Sequence, residues 1–436
     1  MDPEGRFQTG FRGTALARDL SFSSRDTLNR HAQWADRAAW IAWTALFATI
    51  SILILAGSDH SVVSTYRDAT LQWFAGRDIY TDTGHGFLYL PVAAILFAPF
   101  AWLPPAACEI AWRLVAIGGF AIGVRRLGKI TEGGRSDSTF AILTLASLPP
   151  AMACARNGQS TLIMAGLMMS ACVDLAEGRR GRAVLCATLA VALKPLAVVL
   201  LLLAPFFDRR LAWRAALGFV AVLCLPFVTQ RPAYVLDQYM KCAQMFRASS
   251  HCGMIELWAQ PFSVLGLLGI NVPESAQTAI RLLAAGGAIG LCLAARSRTT
   301  STRAAEYLLA ISVLYILLFN PRTENNTYAM LGPVIGVSLV AALASTPPSR
   351  GDVVFLSTLV ALMAVGDALV RLFVPEGEHI WMTPSLAVLF SAYLIRRLFF
   401  HEGRRSALPP AEVDEAFGET LRGPHLAKRG STAGVR

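Results

Sequence analysis

Residues able to do chemistry are few in this chain, and they are widely spaced. Lys194 stands between Leu193 and Pro195, within an apolar stretch running from Ala183 to Phe207. A lysine at the centre of such a stretch costs roughly 2.5–3.5 kcal/mol on insertion scales. Its expected use is to meet an anionic group in a cavity; the plainer alternative is a side chain that snorkels to an interface. Asp59 and Asp68 are the candidate general bases, although Asp68 follows Arg67 on a stretch where solvated carboxylates are ordinary. Arg156 and Arg322 are further cations suited to a phosphate. Tyr66, Tyr80, His85, Tyr89, Asn157, Gln159, Glu324 and Asn326 supply the hydroxyl, imidazole, amide and carboxylate groups that orient a polar ligand.

Composition dictates what must position them. Of 436 residues, 54% are hydrophobic and 16% charged, against about 45–50% and about 25% in an average soluble domain. No water-soluble core hides that much apolar surface, and collagen, disordered and disulfide-stapled classes are excluded as well. The expected fold is all-α, a polytopic membrane protein. The net charge of +10 does not indicate nucleic acid, because the arginines fall in short clusters between apolar runs, the pattern of cytoplasmic loops. Most of the 8 cysteines lie inside apolar runs and are read as small buried residues. Cys242 and Cys252 share a polar segment, where a disulfide is an option on an oxidising side. No His/Cys spacing indicates a metal site, and no apolar stretch before residue 38 reads as a cleavable signal.

Residues 1–37 form a polar, arginine-bearing tail, expected in the cytoplasm; residues 38–400 form the transmembrane domain; residues 401–436 form a Pro/Gly-rich cytoplasmic tail, expected to be disordered. The first span runs from about Ala38 to Ala56, and Tyr66 to Phe74 reads as a short amphipathic helix. Phe87–Leu103 is broken by Pro91 and Pro99 and reads as re-entrant or interfacial, since a full crossing there would place Arg125, Arg126 and Lys129 outside. Ala107–Val124 crosses. Thr139–Leu148 is expected to stop at Pro149-Pro150, turn at Arg156-Asn157-Gly158-Gln159 and return through Leu162–Leu175. Ala183–Leu193 is expected to break at Lys194-Pro195 and return through Leu196–Phe207. Leu217–Val228 leads to a loop at 230–258, and Pro261–Leu268 reads as a second re-entrant helix. Ala276–Ala294, Tyr307–Phe319, Met330–Leu343, Val353–Val374 and Trp381–Ile395 complete about twelve crossings, with both ends cytoplasmic. Glu109 with Arg113, and Asp367 with Arg371, are spaced as internal ion pairs, and Asp174 is expected to reach the cytoplasmic interface. The candidate site residues then share the outer face.

Several of these segments resemble glycosyltransferase family 87, polyprenyl-phosphate-mannose-dependent mannosyltransferases of the GT-C class. The resemblance lies in Tyr66-Arg67-Asp68-Ala69, Gly76-Arg77-Asp78-Ile79-Tyr80, Phe87-Leu88-Tyr89-Leu90-Pro91 and Ala98-Pro99, then in Asn157-Gly158-Gln159, Leu193-Lys194-Pro195 with Arg209-Arg210, and Asn320-Pro321. No one motif is specific, but their order and spacing over roughly residues 38–345 are. The family carries its catalytic Asp four residues before the Tyr of Tyr-x-x-Ala; here that position is Val62, which leaves Asp59 and Asp68 as the nearest carboxylates.

The resemblance implies a plasma-membrane hexosyltransferase that moves a mannose-like sugar from a polyprenyl phosphate to a glycan or glycolipid acceptor, with inversion, at the extracytoplasmic face. Its partners would be membrane lipids, the lipid-linked donor and the acceptor, with no nucleic acid. No nucleotide cofactor is expected, and metal dependence stays open. Lys194, with Arg322 or Arg156, would take the leaving phosphate, and Asp59 or Asp68 the acceptor proton. Two other readings stand beside this one: a transporter or flippase of lipid-linked sugars, which the broken helices fit equally well, and a catalytically inactive relative, prompted by Val62.

Overall fold

In hydrocarbon a backbone must satisfy its own N–H and C=O groups, so apolar runs of this length fold as helices. The computed structural model describes residues 13–58, 60–80, 86–131, 138–251, 258–373 and 381–402, and among these there is no strand. The helices in chain order are α1 (Gly13–Leu55), α2 (Val63–Phe74), α3 (Pro91–Leu96), α4 (Ala98–Ala101), α5 (Pro105–Ile130) and α6 (Ser138–Asn157). They continue with α7 (Thr161–Ala176), α8 (Arg180–Leu193), α9 (Val198–Phe207), α10 (Ala212–Cys224), α11 (Pro226–Thr229) and α12 (Pro232–His251). The last are α13 (Pro261–Leu267), α14 (Glu274–Arg298), α15 (Ser301–Phe319), α16 (Leu331–Leu343), α17 (Arg350–Phe373) and α18 (Met382–Arg397).

Among the described residues, 8 helices are long and apolar enough to cross a membrane, and α7 and the segment Pro195–Phe207 are shorter apolar helices. Leu145, Leu202, Val228, Leu283 and Leu372 are exposed on the outside of the bundle, where lipid rather than water must cover them. The chain is an all-α polytopic membrane protein. The stretch before α5 forms only the short helices α3 and α4, neither of which is long enough to span.

Small residues set the closest helix contacts. Gly123 and Gly166 meet where α5 crosses α7, and a Cβ at Gly166 would lie 2.3 Å from the Gly119 carbonyl oxygen. Without a hydrophobic drive between helices in lipid, such backbone approach is what holds them together. Core positions of α7 such as Leu162, Met164 and Met168 are fully buried.

Several local expectations are corrected. Pro149-Pro150 does not stop α6, which runs on to Asn157. A proline removes one helical N–H, and Pro150 deprives the Ala146 carbonyl of its helical donor. The backbone of α16 packs on that carbonyl instead: a Cβ at Gly332 would sit 2.4 Å from it. Neighbouring helices of this kind are what make proline tolerable in a membrane helix. The expected loop at 230–258 contains the 20-residue helix α12. Asp174, near the C-terminal end of α7, does not present its carboxylate to the outside there. It is fully buried, with Arg126 at 2.7 Å and Arg179 at 2.8 Å. The Glu109–Arg113 pair is present, whereas the side chains of Asp367 and Arg371 lie outside the described residues. So do residues 403–436 of the C-terminal tail, and Cys252. Cys242 is a free, buried thiol whose Sγ donates to the Tyr89 carbonyl at 3.7 Å.

The bundle's two ends differ. The C-terminal ends of α5, α7 and α9 and the N-terminal end of α8 meet at one end, joined by Arg126–Asp174 and Arg180–Asp208 contacts. Arg296 reaches the Phe206 carbonyl there, and Arg396 pairs with Asp352 elsewhere on that side. The opposite ends of the same helices surround a cavity.

Candidate active site

The cavity has a volume of about 460 Å³ and is lined by residues from six separate stretches of chain, the first four being Val62, Thr65 and Tyr66 on α2 and its approach; Gly86, Leu88 and Tyr89 before α3; Asn157 and Gln159 at the α6–α7 junction; and Lys194, Pro195 and Leu196 between α8 and α9. Phe246 of α12 and the turn bearing Asn320, Pro321, Arg322, Glu324 and Thr327 complete the wall.

Each polar group is placed by a local device. Proline disfavours helical backbone in the residue before it, so α8 ends at Lys194, which is extended (φ −151°, ψ 120°). This break puts the ammonium group at the helix end, where Nζ donates to Thr161 Oγ1 at 2.7 Å. The Asn157-Gly158-Gln159 turn needs glycine: Gly158 has φ +68°, and a Cβ there would meet Val63 Cγ2 at 2.5 Å. Trp112 Nε1 donates to the Gly158 carbonyl (2.8 Å), and Arg113 donates to the carbonyls of Ala155 (3.1 Å) and Arg156 (2.6 Å). Arg113 is itself neutralised by Glu109, which also accepts from Ser61. An ion pair in α5 therefore holds the end of α6 by its terminal carbonyls, the groups a helix terminus leaves over.

The turn after α15 is fixed by Thr323, fully buried, whose carbonyl accepts from Ala259 N at 2.8 Å. Arg322 and Glu324 flank that anchor. Arg322 lies 4.5 Å from the centre of the Trp258 ring, a cation–π contact that orients the guanidinium. Gln159 Nε2 donates to Glu324 Oε2 across the cavity. On the α2 side, the hydroxyls of Tyr66 and Tyr89 are 2.8 Å apart, and Ser160 N donates to Tyr66 at 3.3 Å. Burial pushes the Tyr89 phenol up to about 12, and burial likewise raises Tyr66 well above its ordinary value. Both phenols stay neutral and serve as hydrogen-bonding groups rather than bases.

Of the residues expected from sequence, the cavity gathers Tyr66, Tyr89, Asn157, Gln159, Lys194, Arg322 and Glu324. It does not gather Asp68, which is on the exposed side of α2, or Arg156, whose side chain is exposed while its carbonyl serves Arg113. Tyr80 lies outside the lining and donates to the Tyr89 carbonyl at 2.7 Å; Asn326, half-buried, is also outside it. Asp59 and His85 lie outside the described residues. Sequence reasoning missed Thr161, the partner of Lys194, and missed the Trp112–Arg113 clamp behind the turn. Thr161 had one available signal, its place two residues after Gln159 in a polar turn. Among the described residues, no cluster of His, Cys, Asp and Glu has the makings of a metal site.

A helical membrane bundle with a cation-bearing polar cavity at one end defines a class of integral membrane proteins that handle a ligand at the membrane surface. The family model for glycosyltransferase family 87 matches residues 87–321, and the chain belongs to that family. It is a membrane glycosyltransferase. The matched region takes in Tyr89, the Asn157–Gln159 turn, Lys194 and the Asn320-Pro321 turn, and ends just before Arg322 and Glu324. No curated protein and no solved structure matches the chain.

Proposed function

We propose that the protein transfers a hexose, mannose-like, from a polyprenyl-phosphate sugar to a hydroxyl of a glycan or glycolipid acceptor, with inversion at the anomeric carbon. The observation that carries this reading is the convergence of Lys194 and Arg322 with Asn157, Gln159 and Glu324 on one cavity. Cavities of roughly 300–1,000 Å³ suit small ligands, and the wall offers two cations for a phosphate and amides for sugar hydroxyls. The positive-inside rule favours the arginine-rich end as the cytoplasmic one, which supports a plasma-membrane enzyme with both termini inside and its cavity working at the outer face. Lys194 and Arg322 hold the departing lipid phosphate and offset the charge that grows on it. A flippase has less support, because the core beneath the cavity closes on Leu162, Met164 and Met168, all fully buried.

The test is sugar transfer by purified protein in lipid vesicles, using a panel of radiolabelled polyprenyl-phosphate sugars. Wild type should make labelled product from at least one. Lys194→Ala should lower kcat about 10²–10³-fold, the usual effect of removing a group that stabilises transition-state charge. Folded wild-type protein that transfers nothing from any donor of the panel would defeat the reading.

A further inference from the structure

Val62 lines the cavity at the position where the family resemblance expects an acid, and valine cannot take a proton. Asp68 faces away on the exposed side of α2. Among the described residues lining the cavity, Glu324 is the one carboxylate. It comes from the turn before α16, on the far side in sequence from α2.

We propose that Glu324 is the catalytic base of this enzyme; the proposal rests on the transfer reaction above. Its setting fits the role. Gln159 Nε2 donates to Oε2, which fixes the carboxylate and leaves Oε1 to accept from a bound hydroxyl. Gln159 is itself buried, and its Oε1 accepts from Thr161 Oγ1 at 3.2 Å. Thr161 Oγ1 in turn accepts from Lys194 Nζ at 2.7 Å. The donor directions agree throughout: ammonium to hydroxyl, hydroxyl to amide oxygen, amide N–H to carboxylate. One relay of hydrogen bonds therefore sets the distance between the cation that meets the leaving phosphate and the group that takes the proton, as an in-line displacement requires.

In that step the acceptor's hydroxyl proton passes to Glu324 Oε1. The freed oxygen lone pair forms the new bond to the anomeric carbon. The bond from that carbon to the phosphate oxygen breaks, and its electron pair leaves with the lipid phosphate, beside Lys194 and Arg322. The Tyr66–Tyr89 pair is too weakly acidic to exchange that proton and stays as wall.

The experiment compares full-length wild type, Glu324→Gln, Glu324→Asp, Asp59→Asn and the double variant Glu324→Gln with Val62→Asp. It measures kcat, donor KM and donor binding in vesicles, with thermal melting as the check on folding. Glu324→Gln should lower kcat about 10²–10⁴-fold with donor binding within about threefold of wild type, because the amide keeps the hydrogen bond to Gln159 after a side-chain flip. Glu324→Asp should keep measurable transfer at a reduced kcat, Asp59→Asn should stay near wild type, and the acid at 62 should restore part of the lost rate. A Glu324→Gln enzyme with more than about a tenth of wild-type kcat, or loss of transfer in Asp59→Asn instead, overturns the proposal while leaving the transferase reading in place. An effect confined to donor KM would make Glu324 a substrate holder and also overturn it. If Glu324→Gln does not fold, full activity in Glu324→Asp, whose carboxylate is about 1.5 Å shorter in reach, overturns it. A folded wild type that transfers no sugar at all removes the transferase reading, and this proposal with it.

Discussion

The arginine-rich end of the helix bundle and the wall of the cavity treat charge in opposite ways. At the arginine-rich end, opposite charges are brought together in ion pairs: Asp174 lies fully buried among Arg126, Arg179 and Arg182, Arg180 meets Asp208, and Arg396 meets Asp352. At the cavity end, Lys194 and Glu324 line the same space, yet neither forms an ion pair among the described residues. Each is held by a neutral partner, Thr161 for the lysine and Gln159 for the glutamate. A paired charge has already given up its interaction energy to its partner, whereas a charge held by neutral dipoles keeps most of it for a ligand. The difference separates charge used for folding and orientation from charge used for substrate.

Substitutions should reverse their effects between the ends. Asp174→Asn should give the largest loss of stability, about 2–3 kcal/mol, read as a lower melting temperature in detergent. Removing one partner of a buried pair strands the other, and the cost is moderated because Arg179 is 41% exposed and can still reach water. The fraction that stays folded should keep a normal kcat. Lys194→Ala should do the opposite, with transfer nearly lost and melting little changed. Next in size is Gly158→Ala, at about 1–3 kcal/mol for a non-glycine residue held at positive φ. Here both readouts should fall together, because the same Cβ that strains the turn also presses Val63 Cγ2 at 2.5 Å and moves Asn157 and Gln159 within the wall. Gly158→Ala with wild-type transfer would show that the turn does not need its present shape for function.

Much of the helix layout could be read from the sequence because the lipid-facing rule is one-dimensional: a run of apolar residues either is or is not long enough to cross. The break at Lys194-Pro195 was readable for the same reason, since Pro restricts the residue before it. Pro149-Pro150 obeyed the same local rule and still failed to end α6, because Gly332, almost two hundred positions away, covers the Ala146 carbonyl. Helix α12 was missed because its polar composition gave no apolar run to notice. Its positions are fixed by neighbours: Gln238 is fully buried, accepts from Ile79 N at 3.1 Å and donates to Asp78 at 2.9 Å. The cavity's polar residues were individually recognisable, but their pairing was not. Gln159 and Glu324 are 165 positions apart, and sequence proximity to Tyr66 drew attention to Asp68, which the helical phase of α2 turns outward, away from the cavity lining.

The smallest effect concerns the exposed pair at the cavity end, Lys241 with Asp78 (2.6 Å) and with Asp237 (2.8 Å). Hydrogen bonds from Lys241 and then Gln238 hold the Asp78 carboxyl below its ordinary value, while bonds to Asp237 and Asp78 raise Lys241 above its own. A depressed carboxyl contributes stability that is present above its unfolded value, about 3.9, and is lost as pH falls through the lower folded value. The raised lysine contributes stability that is present below about 10.4 and is lost as pH rises through the higher folded value. The pair's contribution is therefore flat between about pH 5 and 9. Asp78 is 51% exposed and Lys241 33% exposed, so solvent screening limits it to about 0.2–1 kcal/mol. Melting of Lys241→Met against wild type should show that small difference at pH 7 in low salt, and the difference should shrink in high salt and disappear in acid. The Asp174 cluster, whose carboxylate is fully buried while Arg179 and Arg182 stay 41% and 62% exposed, should show a smaller salt dependence over the same range. Equal salt sensitivity at the two sites would mean that the buried and exposed charges are not as differently solvated as their exposures imply.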